Sequence, residues 1–208
     1  MRKKVAGIVP AGADDPAQNT PFGKMDPNEG ELLSRARRGD RRAMEEIILR
    51  YERPVAATVT GILGPSPEVD DIGQETFIRF FRAMGRFRGE SRIGTYLIRI
   101  AINLCRTELK RRRRLAGWPE AELPAGAEAV AGGTAAADDN EARAIVRAGL
   151  RRLDPKYRTV LVLRLMSGYS TRETARILRL PQGTVLSRLS RGQARLREII
   201  AGLPPHRA

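Results

Sequence analysis

Histidine and cysteine are almost absent from this chain of 208 residues, which contains one of each, His206 and Cys105. A zinc site built from several cysteine and histidine ligands is therefore excluded within the chain, and so is a disulfide framework. A Ser-His-Asp or Cys-His centre would depend on His206, in a proline-containing stretch that is a poor place to orient a base. These absences argue against an enzyme, a metal site and a cofactor.

Aromatic residues and long apolar runs are also scarce. Aromatic side chains make up 5% of the sequence, although hydrophobic residues reach 41%, which is enough for packed cores. No run of 18 apolar residues is present, so no membrane-spanning helix is expected. Residues 2–4 are basic, but no long apolar stretch follows them as it does in a secretory signal. The expected location is the cytoplasm, without membrane insertion.

Positive charge is the most abundant feature of the sequence. There are 38 Lys and Arg residues against 24 Asp and Glu, a net charge of +14. Counted along the chain, residues 27–114 have a net charge of +7 and residues 143–208 of +12, whereas residues 115–142 between them have −6. Two basic blocks on either side of an acidic segment indicate a polyanionic partner, most often nucleic acid.

The acidic segment divides the chain into two domains. Residues 115–141 are rich in Gly, Ala and Pro and have almost no large apolar side chains, which predicts a flexible linker. The predicted fold class is all-α, with two small helical domains joined by this linker. The predicted divisions are a disordered tail at 1–26, domains at 27–114 and 142–202, and a tail at 203–208.

The first block is dominated by helical patterns. Pro54 is expected to kink or restart a helix. A helix is predicted from about residue 67 to residue 84, with acidic residues in its first turn and with Asp71, Gln74 and Glu75 away from its apolar stripe. This places a small acidic and polar face on the surface of the first domain.

A polar loop at residues 87–92 is followed by a predicted helix from about residue 93 to residue 110. Arg99, Asn103 and Arg106 share one face of this helix at spacings of four and three, and Cys105 lies on an apolar face as a predicted core residue. The helix ends in the basic run 110–114. Such a run is usually a solvated helix end, but beside this polar face it favours contact with phosphates.

The second block has the pattern of a helix-turn-helix. Ser170 and Glu173 form a predicted capping box, a short break occurs at residues 179–181, and a last helix extends from about 182 to 200. The last helix has short hydroxyl side chains near its start, where base edges are read, and arginines after them, where phosphates would lie. This polar stripe consists of Thr184, Ser187, Arg188, Arg191 and Arg195.

Both blocks contain motifs of one protein family. Residues 71–77 (DIGQETF), 87–91 (FRGES) and 95–103 (TYLIRIAIN) resemble region 2 of bacterial extracytoplasmic-function sigma factors. Residues 153–158 (LDPKYR) and 183–189 (GTVLSRL) resemble region 4 of the same family. The resemblance covers about residues 28–114 and 142–200, in the order that the family has.

The resemblance implies a role in transcription initiation, with core RNA polymerase and promoter DNA as partners. Asp71, Gln74 and Glu75 would dock on the beta-prime clamp helices, and region 4 would sit on the beta flap. Unstacked bases of the −10 element would be captured by Phe87, Arg88, Arg92, Tyr96, Arg99, Asn103 and Arg106. The −35 element would be bound by Arg172, Thr184, Ser187, Arg188, Arg191 and Arg195. The duplex would open without nucleotide hydrolysis, in a stress or envelope response, and an anti-sigma factor is a further implied partner.

The sequence departs from the family pattern at several positions. Leu186 stands where the family usually has a cationic base reader, and could at most contact a thymine methyl group. Arg179 stands where the family usually has glycine in the turn, so either it adopts an unusual backbone angle or the turn differs. Tyr96 replaces the usual tryptophan.

Two other classes of function remain open on the residues alone. One is a helix-turn-helix regulator that binds duplex DNA by itself, with residues 27–114 as a sensing or dimerisation domain. The other is an RNA-binding or nucleic-acid-processing enzyme. The absence of a catalytic histidine, of a metal cluster and of paired buried carboxylates with a shared pocket argues against it. The face formed by Gln74 and Glu75 discriminates between a sigma factor and a regulator that binds DNA by itself, because only a subunit that docks on polymerase requires it.

Overall fold

The computed structural model describes residues 25, 27–115 and 137–203, without the side chains of 137–141. Every regular element in these ranges is helical, which confirms the all-α prediction. Of the predicted tails, only residues 25 and 203 are described. Of the predicted linker 115–141, only residue 115, the end of α4, and residues 137–141, the start of α5, are described, and both pieces are helical. The α-helices are α1 (Pro27–Arg37), α2 (Arg41–Leu63), α3 (Glu68–Ala83), α4 (Ile93–Leu115), α5 (Ala137–Arg152), α6 (Pro155–Leu161), α7 (Thr171–Leu178) and α8 (Gln182–Ala201).

Helices α1 to α4 form the first helical unit. Helix α2 packs against α1, α3 and α4, and α3 packs against α4. Phe80, Ile98 and Ile102 lie between these helices and are almost completely buried. Burying one such side chain stabilises the folded state by about 2 kcal/mol. Cys105 is also completely buried, which confirms it as a core residue.

Helix α2 is longer and more continuous than the sequence suggests. Asp40 caps its start by accepting hydrogen bonds from the backbone of Arg42 and Ala43. Of the two outcomes expected at Pro54, a restart of the helix is wrong, because the helix continues through it. Proline inside a helix costs about 3 kcal/mol. Buried residues on both sides of it, including Val55, offset this cost and hold the helix together.

Helices α5 to α8 form the second helical unit. Asp154 caps α6 by accepting a hydrogen bond of 2.8 Å from the Lys156 backbone, and α6 continues into a π-helical turn at Val162–Met166. The predicted capping box of Ser170 and Glu173 is confirmed at the start of α7. Three residues separate α7 from α8, as in a helix-turn-helix.

Arg179 lies in the left-handed region, with φ of 54° and ψ of 49°, at the end of α7. The first of the two expected alternatives is therefore correct: the turn is kept and the arginine adopts the unusual angle. This conformation costs a residue with a Cβ atom about 1–2 kcal/mol relative to right-handed helical backbone.

The two helical units pack directly on each other, which the sequence did not indicate. Helix α2 contacts α5, α6 and the π-helical turn, and α4 contacts α7. One continuous buried cluster includes Val59 and Ile62 of the first unit and Val162 and Leu163 of the second. Among the described helices, none has the length and hydropathy needed to cross a membrane.

Candidate nucleic-acid interface

The start of the loop at residues 87–92 is anchored by hydrogen bonds from Arg37 of α1. Arg37 donates one hydrogen bond to the Met84 carbonyl, at 2.9 Å, and another to the Phe87 carbonyl. Phe87 is 7% exposed, and Gly89 has a φ of +71°, which favours glycine. These contacts fix the loop between α3 and α4 and leave Arg88 exposed above it.

An aromatic cluster lies beneath this loop. The rings of Phe87 and Tyr96 are 4.8 Å apart between centroids, and Phe80 meets Tyr96 edge-on at 6.0 Å. Phe80 is fully buried, whereas Tyr96 is half-buried. A half-buried ring supported from behind can stack on an unpaired base, whatever its identity.

The predicted polar face of α4 continues from Tyr96. Asn103 and Arg106 are exposed and Arg99 is half-buried. Burial lowers the pKa of Arg99, and the nearby Arg179 guanidinium lowers it further. Partial loss of hydration also lowers the pKa of Arg106, although the residue as a whole is exposed, with Arg188 as a second cause. Arginine remains charged despite such shifts, so this face is a cationic track.

The basic end of α4 has a structural role that the sequence interpretation missed. Arg111 and Arg112 both bind Glu108, with contacts of 2.7 Å and 2.8 Å. Arg112 also pairs with Glu68 of α3 at 2.8 Å and donates to the Ser66 hydroxyl at 2.8 Å. Two of the five cations at 110–114 therefore tie α4 to the start of α3 and are not free for phosphates.

The reading face of the helix-turn-helix lies at the start of α8. Ser187 is exposed and its hydroxyl donates to the Thr184 carbonyl at 3.0 Å, while Thr184 itself is half-buried. Leu186 is 52% exposed, so an apolar side chain stands among the polar ones. Arg188 is half-buried and Arg191 is exposed.

Two residues assigned to the −35 set have contacts outside the start of α8. The Arg195 guanidinium lies 4.9 Å from the centre of the Tyr157 ring, a cation–π contact within the second unit. Arg172 lies in the first turn of α7 and lines a cleft of about 880 Å³ together with Arg88 and Tyr96 of the first unit. The structure thus places Arg172 beside the −10 set.

The same cleft contains arginines that the sequence interpretation did not select. Arg86 and Arg176 line it, and Arg176 follows Arg172 by one helical turn. That spacing of four on an amphipathic helix was the available signal. Arg92 is partly exposed and lies 3.8 Å from the buried Glu29 carboxylate, so it contributes to the support of the loop.

The acidic face of α3 is on the surface. Asp71 and Gln74 are exposed. Glu75 pairs with Arg79 one turn later, with 2.7 Å between Nε and Oε1.

In the described part of the chain, no three or more His, Cys, Asp and Glu side chains group together as a metal site would require.

Two family models match the chain. Sigma-70 region 2 matches residues 47–115, and Sigma-70 region 4 matches residues 143–196. The first match contains the α4 face and the second contains the helix-turn-helix.

Curated relatives match over most of their length. The RNA polymerase sigma-H factor of Pseudomonas aeruginosa is 34% identical over 173 residues, which is 78% of this chain and 89% of that protein. The ECF RNA polymerase sigma-E factor of Escherichia coli K12 is 32% identical over 170 residues, 78% of this chain and 88% of that protein.

Solved structures have the same arrangement of helices. CnrH in complex with the cytosolic domain of CnrY is 26% identical, with a TM-score of 0.64 over 85% of this chain and 99% of that one. The sigma factor RpoE of Bartonella quintana, in complex with the anti-sigma factor NepR, is 21% identical, with a TM-score of 0.62 over 77% and 98%. The family models and the curated relatives show that the chain belongs to the ECF family of RNA polymerase sigma factors.

Proposed function

We propose that this sigma factor binds core RNA polymerase, directs it to promoters with a −10 and a −35 element, and promotes melting of the DNA. The observation that supports the proposal best is the presence of two cationic faces on two different helical units. One is the aromatic and polar face of α4, and the other is the start of α8. A promoter with two separate elements requires two such faces.

The α4 face is suited to capturing unpaired bases of the −10 element. Stacking of one base on an aromatic side chain contributes about 1–3 kcal/mol. Loss of one stacked base-pair step costs about 1.4 kcal/mol. These magnitudes are comparable, so capture of bases by Tyr96 and Asn103, with Arg88, Arg99 and Arg106 along the strand, offsets the melting. Phe87 is buried behind the Tyr96 ring and Arg92 lies beside Glu29, so these two would act by holding the loop and the ring in place. No nucleotide hydrolysis and no catalytic step by this chain are needed.

The start of α8 is suited to the major groove of the −35 element. Thr184 and Ser187 would contact base edges, and Arg188 and Arg191 the phosphates. Arg195, one turn after Arg191 on α8, would add a phosphate contact. Arg172 is on α7 in a cleft shared with Arg88 and Tyr96, so its proposed −35 contact requires that it leave this cleft. Because Leu186 is exposed among these residues, its side chain would select a thymine methyl group at one position.

The exposed face of α3 would dock on the beta-prime clamp helices of the polymerase through Asp71, Gln74 and Glu75. A regulator that binds duplex DNA alone has no use for this face, and the region 2 match at residues 47–115 overturns that alternative. The second helical unit would sit on the beta flap. Since polymerase and chromosome share the cytoplasm, we place the protein there.

We also propose an anti-sigma factor as a partner, in a stress or envelope response. A second cleft, of about 640 Å³, lies between the units. It has apolar walls that include Val55, Leu97 and Met166, and Arg50 and Arg53 on its rim. An amphipathic helix with acidic residues would fit this combination. Replacing both arginines by glutamate should weaken inhibition by such a partner.

Run-off transcription tests the proposed function. Purified chain and core polymerase are incubated with a library of bacterial promoter fragments, and transcripts are sequenced from their 5′ ends. We expect starts that depend on the chain and share two upstream elements. Transcripts that are unchanged when the chain is omitted would refute the proposal.

A further inference from the structure

One face of α1 lies against the loop at residues 87–92. Glu29, Leu33 and Arg37 follow one another at a spacing of four, so they share this face of the helix. Glu29 and Leu33 are each 2% exposed. Arg37 contacts the start of the loop and Glu29 contacts its end. A single helix face therefore reaches both ends of the loop.

The start of the loop is fixed by two hydrogen bonds from one guanidinium. Arg37 Nε donates to the Met84 carbonyl at 2.9 Å, and Arg37 Nη2 donates to the Phe87 carbonyl. The Phe87 N–H also donates to the Met84 carbonyl, at 3.2 Å. Because the guanidinium is planar and rigid, both carbonyls must keep their relative positions to satisfy it. The backbone is thereby held where it leaves the 3₁₀ turn and enters the loop.

The end of the loop is held by a buried carboxylate. Glu29 Oε2 lies 3.8 Å from Arg92 Nε, and the Tyr51 hydroxyl of α2 donates to Glu29 Oε1. The Arg92 carbonyl in turn accepts a hydrogen bond of 3.2 Å from the Tyr96 N–H in the first turn of α4. Glu29 therefore orients the last residue of the loop, and this contact is two steps from the half-buried ring proposed to stack on bases.

The middle of the loop is covered from the same side. A Cβ atom added to Gly89 would lie 2.6 Å from the terminal methyl carbon of Met25, the residue two positions before α1. At the start of α4, a Cβ atom added to Gly94 would lie 3.0 Å from the Tyr51 ring. The loop and the first turn of α4 are thus packed closely on residues 25–51.

These polar contacts are not what attaches α1 to the domain. Leu32, Leu33 and Ala36 are 0–4% exposed and join the main buried cluster, so apolar burial alone accounts for the docking of the helix. Arg37 is exposed, and a polar contact at an exposed position contributes little to global stability. The contacts from Glu29 and Arg37 act on the loop instead. Ordering a loop before it binds avoids a loss of conformational entropy during binding.

We propose that α1 is a positioning element for base capture, in which Glu29 and Arg37 hold the two ends of the loop and so place Arg88 and Tyr96 where unpaired bases meet them. This inference rests on the proposed function of the α4 face. The region 2 match begins at residue 47, so α1 lies outside it. Affinity for unpaired bases falls in proportion to the fraction of chain whose loop has the competent arrangement, so loss of these contacts weakens capture.

Arg37→Ala and Glu29→Gln remove the two contacts, separately and together. Arg37 is exposed, so Arg37→Ala should fold and keeps the test valid even if the change at the buried Glu29 does not. Arg38→Ala is the matched control for the arginine, because its guanidinium contacts Ser34 and Glu31 of its own helix. The exposed Glu31→Gln is the control for the glutamate. Thermal unfolding followed by circular dichroism checks each variant.

The first measurement is the mobility of the loop in the full chain, by electron paramagnetic resonance of a spin label at the exposed Glu90→Cys. Native Cys105 is buried and burial raises its pKa to about 12, so it should not react. We expect the rotational correlation time of the label to shorten about threefold in Arg37→Ala, on the nanosecond scale of loop motion. It should shorten further in the double variant and stay unchanged in Arg38→Ala. An unchanged spectrum in Arg37→Ala and in the double variant would overturn the proposal.

The second measurement is binding of the holoenzyme to two fluorescein-labelled DNA fragments of a promoter found by run-off transcription. One fragment is fully paired, and the other has noncomplementary bases in its −10 element, which is therefore already unpaired. At low temperature the paired fragment stays closed. The affinity for the unpaired fragment divided by that for the paired one should fall about tenfold in the double variant, because only base capture needs the loop. General damage to the fold would lower both affinities and leave this ratio unchanged.

The outcomes separate this proposal from the proposed function. If the wild type directs transcription and the ratio of affinities stays at its wild-type value in Arg37→Ala and the double variant, the positioning role is wrong. If no transcript depends on the wild-type chain, the proposed function fails and the role in base capture fails with it. The label at Glu90→Cys still shows in that case whether α1 orders the loop.

Discussion

Glu108 and Arg112 form an ion pair of 2.8 Å one turn apart on α4, and Arg111 joins the same carboxylate. Glu108 is 9% exposed, whereas about one-third of the Arg112 side chain and half of the Arg111 side chain is exposed, so the carboxylate is shielded and its partners remain in contact with solvent. Through Arg112 it also reaches Glu68 at the start of α3. The basic end of α4 therefore holds the start of α3 in place. These contacts connect the α4 face, proposed to bind DNA, with the α3 face, proposed to bind polymerase.

Glu108→Gln should lower the free energy of unfolding at neutral pH by about 2 kcal/mol, since it weakens hydrogen bonds from two charged donors. The hydrogen bond from Arg111, followed by that from Arg112, lowers the pKa of Glu108. The stabilisation is therefore present above the ordinary glutamate pKa of about 4.3 and disappears as the pH falls through the lower folded-state pKa. Urea unfolding across this range is the measurement, with exposed Glu52→Gln as control. A difference that persists in strong acid would contradict the ion-pair explanation.

Arg179→Gly should stabilise the protein by about 1 kcal/mol, because glycine adopts the left-handed angle without the Cβ penalty. Loss of the repulsion toward Arg99 acts in the same direction. Arg176→Gly, within α7, should instead destabilise by about 1 kcal/mol. Chemical unfolding compares the two. If both variants lose stability equally, the turn does not strain the arginine.

Gln74→Ala combined with Glu75→Ala should weaken binding to core polymerase at least tenfold, because several polar contacts of about 1 kcal/mol each would be lost. Fluorescence anisotropy with labelled chain measures the affinity. The pair Glu45→Ala and Glu46→Ala, exposed on α2, is the matched control. Equal binding by the α3 double variant and the wild type would remove the docking assignment.

Arg191→Ala should weaken promoter binding and reduce the salt slope by about one, as expected for one phosphate contact. Arg197→Ala removes a similar exposed charge further along α8 and should leave the slope unchanged. Titrations of the holoenzyme with promoter DNA at several salt concentrations test both. A slope that is identical in Arg191→Ala and the wild type would argue against the contact.

Asn103→Ala should impair formation of the open complex by about tenfold while closed-complex binding is preserved, because the side chain is proposed to meet bases only after they are unpaired. Permanganate reactivity of unpaired thymines reports opening, and filter binding at low temperature reports the closed complex. Thr107→Ala, one turn further along α4, serves as control. Equal losses in both assays would exclude a role in base capture.

Much of the local structure could be predicted from the sequence alone. The caps at Asp154 and Ser170, the three-residue break before α8 and the helix after the 87–92 loop depend on residues within one or two turns of each other. The candidate faces on α3, α4 and α8 also follow from spacing along single helices. The exposed residues of these faces lie where the helical spacing predicts. The functional roles of these residues remain predictions.

Only the tertiary structure decided how these faces are arranged. Arg158 of α6 donates a hydrogen bond to the Ile62 carbonyl of α2, and the two residues are 96 apart in the chain, so no periodicity relates them. Arg112 and Glu68 are 44 residues apart, and a run of arginines does not indicate which of them will find a carboxylate. Helical spacing reports which side of a helix is apolar, but not which other helix covers it. For that reason the sequence determined two cationic helical units and their motifs, and the packing of α2 and α4 against the second unit determined that they meet.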